Sequence, residues 1–108
     1  MIFIILLFQL LTLNPSIVVR GDVVSVRTEQ DGDWHINIKL DKQYEHFLNK
    51  MNIKNQHGYL VIEVVPRDQD SVMRPKVGLH VKVEGKFVKD LHHGWNEIHP
   101  ATRIIYAR

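Results

Sequence analysis

Cysteine is absent from all 108 residues of this chain. That excludes disulfides, thiolate metal sites and a cysteine nucleophile in one stroke. Charge of one sign is also scarce: fourteen Lys and Arg stand against twelve Asp and Glu, for a formal net charge of +2. Such an excess falls well short of the basic footprint of a dedicated DNA-binding domain. There is no P-loop, no G-x-S-x-G, no H-E-x-x-H, no internal repeat and no low-complexity tract, so the common nucleotide-binding, serine-hydrolase and zincin signatures find no support. The apolar run Ile2–Leu13, "IFIILLFQLLTL", stops about eight residues short of the ~20 needed to cross a bilayer.

That run nevertheless matches a secretory h-region in length, with "NPS" as a break after it. No Lys or Arg follows Met1 and no A-x-A-like cleavage site is present. The expectation is a signal or membrane-anchor segment over residues 1–15, and an exported, secreted or anchored protein. An apolar strand or helix of the domain itself, or an anchor extended by "SIVV", would use the same residues.

From residue 16 to 108 the pattern is that of a small all-β domain. "IVVRGDVVSVRT" is rich in β-branched residues and carries Gly21 as a bend or bulge. Asp31-Gly32 is a hairpin signal. "WHINIKL" alternates, with Trp34, Ile36, Ile38 and Leu40 on one face and His35, Asn37 and Lys39 on the other. In "DKQYEHFLNKMN" the period changes: Tyr44, Phe47, Leu48 and Met51 lie at helical spacing behind Asp41 as an N-cap, which predicts one helix of three turns. "YLVIEVVP" reads as a central strand, "VGLHVKVEGKFVKD" as two strands around Glu84-Gly85, and "WNEIHPATRIIYA" as the last. Five or six strands, one short helix and no βαβ rhythm predict an OB-like Greek-key barrel.

The ordered segments "DGDWHINIKLD", "LVIEVVPRD" and "VGLHVKVEGKFVKDLHHGWNEIHPATRI" resemble a family of uncharacterised, often exported, archaeal and bacterial OB-like domains. In that family a D-x-H motif, an hhEhhP strand, a G-x-hhh-D-x-x-H-G segment and an E-h-H-P element recur in this order. The resemblance covers roughly Ser16 to Ile104, and H-G-W-N-E-I-H-P is its most specific part. It implies the barrel and the extracytoplasmic location, but no reaction or ligand.

The motif positions carried onto this chain are Asp33, His35, Glu63, Asp90, His93, Glu97 and His99. Residues i and i+2 of a strand share a face, so Asp33 points with His35 and Glu97 with His99. Glu63 lies in an apolar run, where a carboxylate must be paired, hydrogen-bonded or solvated. Convergence of His35, Glu63, Glu97 and His99 would make a site for a divalent metal such as Zn²⁺, with Asp33 and His93 as orienting groups. The same residues also fit ordinary polar positions on a half-exposed sheet. Asp90 with "LHHG" fits a capped turn that aims Trp95. Trp34 and Trp95 are core anchors or platforms for a stacked ligand.

Three functions follow from this reading. The first is an exported binding module for a metal, small ligand or protein partner. The second is a metal-assisted hydrolase with Glu63 or Glu97 as general base. The third is OB-type nucleic-acid binding, which the scatter of Lys39, Lys82, Lys86 and Lys89 and the expected export both disfavour.

Overall fold

The first strand serves two neighbours, and its two ladders overlap at Gly21. In the computed structural model, which describes residues 9–108, β1 runs over Leu10–Thr28. Its first part pairs antiparallel with β4 (His80–Asp90), from Leu10↔Asp90 to Asp22↔His80. Its second part pairs with β2 (Trp34–Leu40), from Gly21↔Leu40 to Thr28↔Trp34. Gly21 belongs to both ladders. A Cβ there would run into the Lys39 carbonyl and lie 2.5 Å from Ile38 Cγ2, so only glycine permits the approach. Pro15 has no N–H to give a ladder, and it falls in the register shift between Asn14 and Ile17.

The remaining strands are β3 (Leu60–Val64) and β5 (Asn96–Tyr106). The order β1-β2-β3-β5-β4 closes on itself as a barrel. Among the described residues every pairing is antiparallel except the short β3–β5 contact, Val61↔Glu97 and Ile62↔Ile98. The chain is thus mostly β with a few short helices. Inward-facing Val19, Ile36, Ile38, Leu60, Ile62, Val64, Val81, Val83 and Ile98 are all at 0% exposure and fill the interior. The alternation read in β2 holds for its apolar side: Ile36, Ile38 and Leu40 are buried, and Trp34 packs against the core.

Two local expectations are corrected. The stretch around Glu84-Gly85 is one strand of eleven residues, not two. The register shifts at Gly85 while the ladders to β1 and β5 continue on either side. The three-turn helix is also broken, into a 3-10 helix at Lys42–Phe47 and a short α-helix, α1, at Lys50–Asn55. Leu48 and Asn49 between them are extended. Asp41 makes no capping bond, because its carboxylate faces His80 Nε2 at 2.9 Å. Asn49 caps α1 instead, accepting from Met51 and Asn52 N–H while Asn52 returns the bond to Asn49 N–H.

Asn52 is fully buried and uses its whole amide. Its oxygen accepts from the N–H of Asn49 and of Asn96, and its NH₂ donates to the Tyr59 and Asn96 carbonyls. It fastens α1 to the starts of β3 and β5. Asn52→Ala should therefore cost about 3 kcal/mol, since two carbonyls and two N–H groups lose their partner in a dry site. A urea titration that shows less than about 1 kcal/mol would mean that water replaces the amide.

Of the export segment expected at residues 1–15, residues 1–8 lie outside the described residues. Leu10 to Pro15 form the opening of β1, and the Gln9 carbonyl accepts from Leu91 N–H. Among the described residues no helix is long and apolar enough to cross a membrane.

Candidate functional site

The polar alternates of β2, β3 and β5 face away from the barrel interior, yet they are not left to water. His35, Asn37, Glu63 and Glu97 are all buried, at 3%, 8%, 7% and 3% exposure. Strand register brings them together. His35 sits opposite Glu63 in the β2–β3 ladder, and on its other side opposite Arg27 in the β1–β2 ladder. An Arg27–His35–Glu63 row therefore crosses three strands. Two turns rim it. In the β1–β2 loop, Gly32 N–H donates to the Glu29 carbonyl and Glu29 N–H to the Asp33 carbonyl; Gly32 adopts φ 90°, a conformation that favours glycine. In the β4–β5 loop, Asp90 Oδ1 accepts from His92 and His93 N–H, and Gly94 N–H donates to the Asp90 carbonyl. Between the loops lies a cleft of about 160 Å³, lined by Arg27, Glu29, His35, Gln56 and Glu63, with Asp90, His93, Trp95 and Glu97 on the other side.

Two groups of titratable side chains occupy this face. In the first, His35 Nδ1 lies 3.0 Å from Glu63 Oε1 and 3.6 Å from Glu29 Oε2. The other ring nitrogen, Nε2, is 3.0 Å from Asn37 Oδ1, and Asn37 gives its NH₂ to Gln56 Oε1. Asn37 Oδ1 is an acceptor, so His35 Nε2 carries the hydrogen and Nδ1 presents a lone pair. That lone pair points at a carboxylate oxygen. Such a contact is stable only with a positive species between the two atoms, a proton or a metal ion. Glu63 Oε2 is also buried, and no donor among the described residues reaches it.

The electrostatics agree. Burial, then the charges of Glu29 and Glu97, push the Glu63 carboxyl up to about 9, so in the metal-free protein it keeps its proton at neutral pH. Burial, with Arg27 alongside, holds His35 below the ordinary imidazole range and keeps it neutral.

The second group is complete in itself. Glu97 Oε2 accepts the Trp95 indole N–H at 3.0 Å, and Glu97 Oε1 faces His99 Nδ1 at 3.0 Å. His99 Nε2 is 4.0 Å from Asp33 Oδ2. Burial alone would lower the His99 pKa, but the bond to Glu97 and the charges of Glu97, Glu63 and Asp33 outweigh it and raise it. Asp33 is itself raised, by burial and by Asp31. At the rim His93 Nδ1 bonds Asp90 Oδ2 at 2.8 Å, and its ring stacks on Trp95 with centroids 4.3 Å apart and 8° between planes. Burial would raise Asp90; its bonds from the His93 ring and the backbone of His93 and His92 prevail and lower it.

The four residues expected to share one metal are thus on one face but divided. Glu29, His35 and Glu63 each offer a ligand atom, all within 4.8 Å of one another, and could hold a metal ion. Glu97 and His99 pair with each other beside that triad, with Asp33 behind His99. His93 and Trp95 belong to the rim, whereas Trp34 packs inward and carries the Arg74 guanidinium 5.1 Å from its ring centroid. Sequence reasoning missed Glu29, which lies between the β-branched run ending at Thr28 and the Asp31-Gly32 hairpin signal. The available signal was parity: Glu29 is two residues beyond Arg27 and continues that outward face. Arg27 and Gln56 carry no short motif that could have singled them out.

Neither the scan against protein-family models nor the search of curated proteins returns a match for this chain.

Proposed function

We propose that this chain is an OB-like, exported binding module that holds one divalent metal ion through Glu29, His35 and Glu63. The carrying observation is the buried Glu63 carboxyl, with one oxygen against the His35 lone pair and the other without a donor among the described residues. Two carboxylates and one neutral imidazole suit Zn²⁺ or another first-row dication. Asn37 supplies the partner on the far ring nitrogen that metal-bound histidines usually have.

The OB assignment is supported by the strand order β1-β2-β3-β5-β4 and by the place of the cleft. OB folds bind ligands on the face of strands 2 and 3, between the β1–β2 and β4–β5 loops, and the cleft lies there. The resemblance of Ser16–Ile104 to exported OB-like domains points the same way. For the extracytoplasmic location the support is the composition of Ile2–Leu13, whose later residues also serve as strand β1. A cleft with four acids against Arg27 does not suit nucleic acid. Three protein ligands leave a coordination position open to the cleft. That favours a metal-assisted hydrolase as the second reading.

The test is thermal unfolding of the untagged full chain with Zn²⁺ or Mn²⁺, for wild type, His35→Ala and His99→Ala. Metal at about 100 times its Kd should raise the wild-type Tm by roughly 10 °C. His35→Ala should abolish the response, while His99→Ala keeps most of it. No shift with either metal in the wild type would sink the metal reading. Equal loss in both variants would restore the four-residue site.

A further inference from the structure

We propose that the cleft takes a small carboxylate monoanion, bound between the metal of the Glu29–His35–Glu63 site and the guanidinium of Arg27. This inference rests on the metal reading above and adds the ligand class.

A loosely paired guanidinium beside the metal site carries it. A dication held by two carboxylates and a neutral imidazole is electrically neutral. The remaining acids of the cleft are already engaged. Glu97 is held by the Trp95 indole N–H and by His99, and Asp90 by the His93 ring and two backbone N–H groups. Arg27 is different. Its register with His35 sets it beside the triad, its side chain is 59% exposed, and its contact with Glu29 Oε2 is a long 3.8 Å. Glu29 Oε2 is also 3.6 Å from His35 Nδ1, so a metal there draws Glu29 away from Arg27. Arg27 is then the one Arg or Lys among the described residues that line the cleft, without a close partner and next to an open metal position.

A carboxylate answers both. One oxygen completes the metal and the other accepts the planar guanidinium, the geometry for which arginine is suited. A dianion fits less well, because Glu97 and Asp90 face the same space. The volume of about 160 Å³ admits an anion of a few heavy atoms.

The experiment uses the untagged full chain loaded with Co²⁺, whose visible d–d bands report its ligands. Acetate is then titrated in, with sulfate as a parallel arm, for wild type and Arg27→Ala. Acetate should change the wild-type bands saturably, and Arg27→Ala should still take up Co²⁺ but bind acetate about ten-fold or more weakly. Sulfate should leave the bands unchanged at the same concentrations. Co²⁺ uptake with no acetate effect, an Arg27→Ala variant that binds acetate like wild type, or tighter binding of sulfate would each overturn the ligand assignment and leave the metal site standing. Loss of Co²⁺ binding in Arg27→Ala would make Arg27 a positioning residue for the metal and also overturn it. Failure of the wild type to take up Co²⁺ would remove both readings.

Discussion

Replacing Glu63 by glutamine should raise the Tm of the metal-free protein at pH 8 by roughly 10 °C and end its response to Zn²⁺. The folded protein holds the Glu63 proton up to about pH 9, whereas the ordinary value for a glutamate is 4.5. Between these two values the unfolded chain is ionised and the folded one is not, so stability falls as pH rises through that window. His99, whose folded pKa is raised above 6.5, adds to the same alkaline loss. On the acid side the signs reverse. His35 and Asp90 are lowered in the folded state, so their contributions are present above 6.5 and 3.8 and are lost as pH falls through their folded values. Metal-free wild type should therefore be most stable at mildly acidic pH. In Glu63→Gln the new amide can donate its N–H to the His35 lone pair and has no proton to lose. On its alkaline side the pH profile of that variant should keep the shallower slope of His99, while the acid-side losses from His35 and Asp90 remain. Since a metal must displace the Glu63 proton, Zn²⁺ binding to wild type at pH 7 should release about one proton, read as a dependence of binding enthalpy on buffer ionisation enthalpy. A Glu63→Gln variant with the wild-type pH slope would show that the proton resides elsewhere.

The second large effect belongs to the barrel itself. Gly85→Ala should destabilise the protein by about 3 kcal/mol, or roughly 12 °C in Tm. A Cβ at Gly85 would collide with the Pro100 carbonyl and lie 2.6 Å from Ile98 Cγ2 and 2.8 Å from the Ala101 Cα. Two of these three atoms are backbone of the neighbouring strand, which cannot swing aside without opening the β4–β5 ladder. Ile98 is also a fully buried residue at the β3–β5 contact. Gly58→Ala makes an informative contrast, because no atom of the described residues lies within 4 Å of its added Cβ and only φ 80° opposes the change. That conformational cost is about 1 kcal/mol. Equal losses at the two sites would show that the sheet yields at Gly85.

Particular residues show why some of the molecule was legible in one dimension. Alternation placed Ile36 and Ile38 inside, and the same parity put His35 with Asn37 and Glu97 with His99, because side-chain direction in a strand is local. The turn at Asp90–Gly94 was equally local, since one carboxylate caps the two N–H groups that follow it. The broken helix was not. Tyr44, Phe47 and Leu48 keep a helical spacing, but Asp41 is drawn to His80, thirty-nine residues away, and Asn49 caps a separate helix.

By itself, then, the sequence determined the β-rich class, the faces of the strands, the turns, and the presence of acids and histidines where one face would be buried. Tertiary structure decided which of those groups meet. The β1–β2 and β2–β3 registers align Arg27, His35 and Glu63. The hairpin loop folds Glu29 onto the same nitrogen. Glu97 and His99 satisfy each other, while Glu63 is left one donor short among the described residues. Register and loop closure are long-range quantities, fixed by how a whole barrel closes and fills its core, and no short stretch of residues contains them.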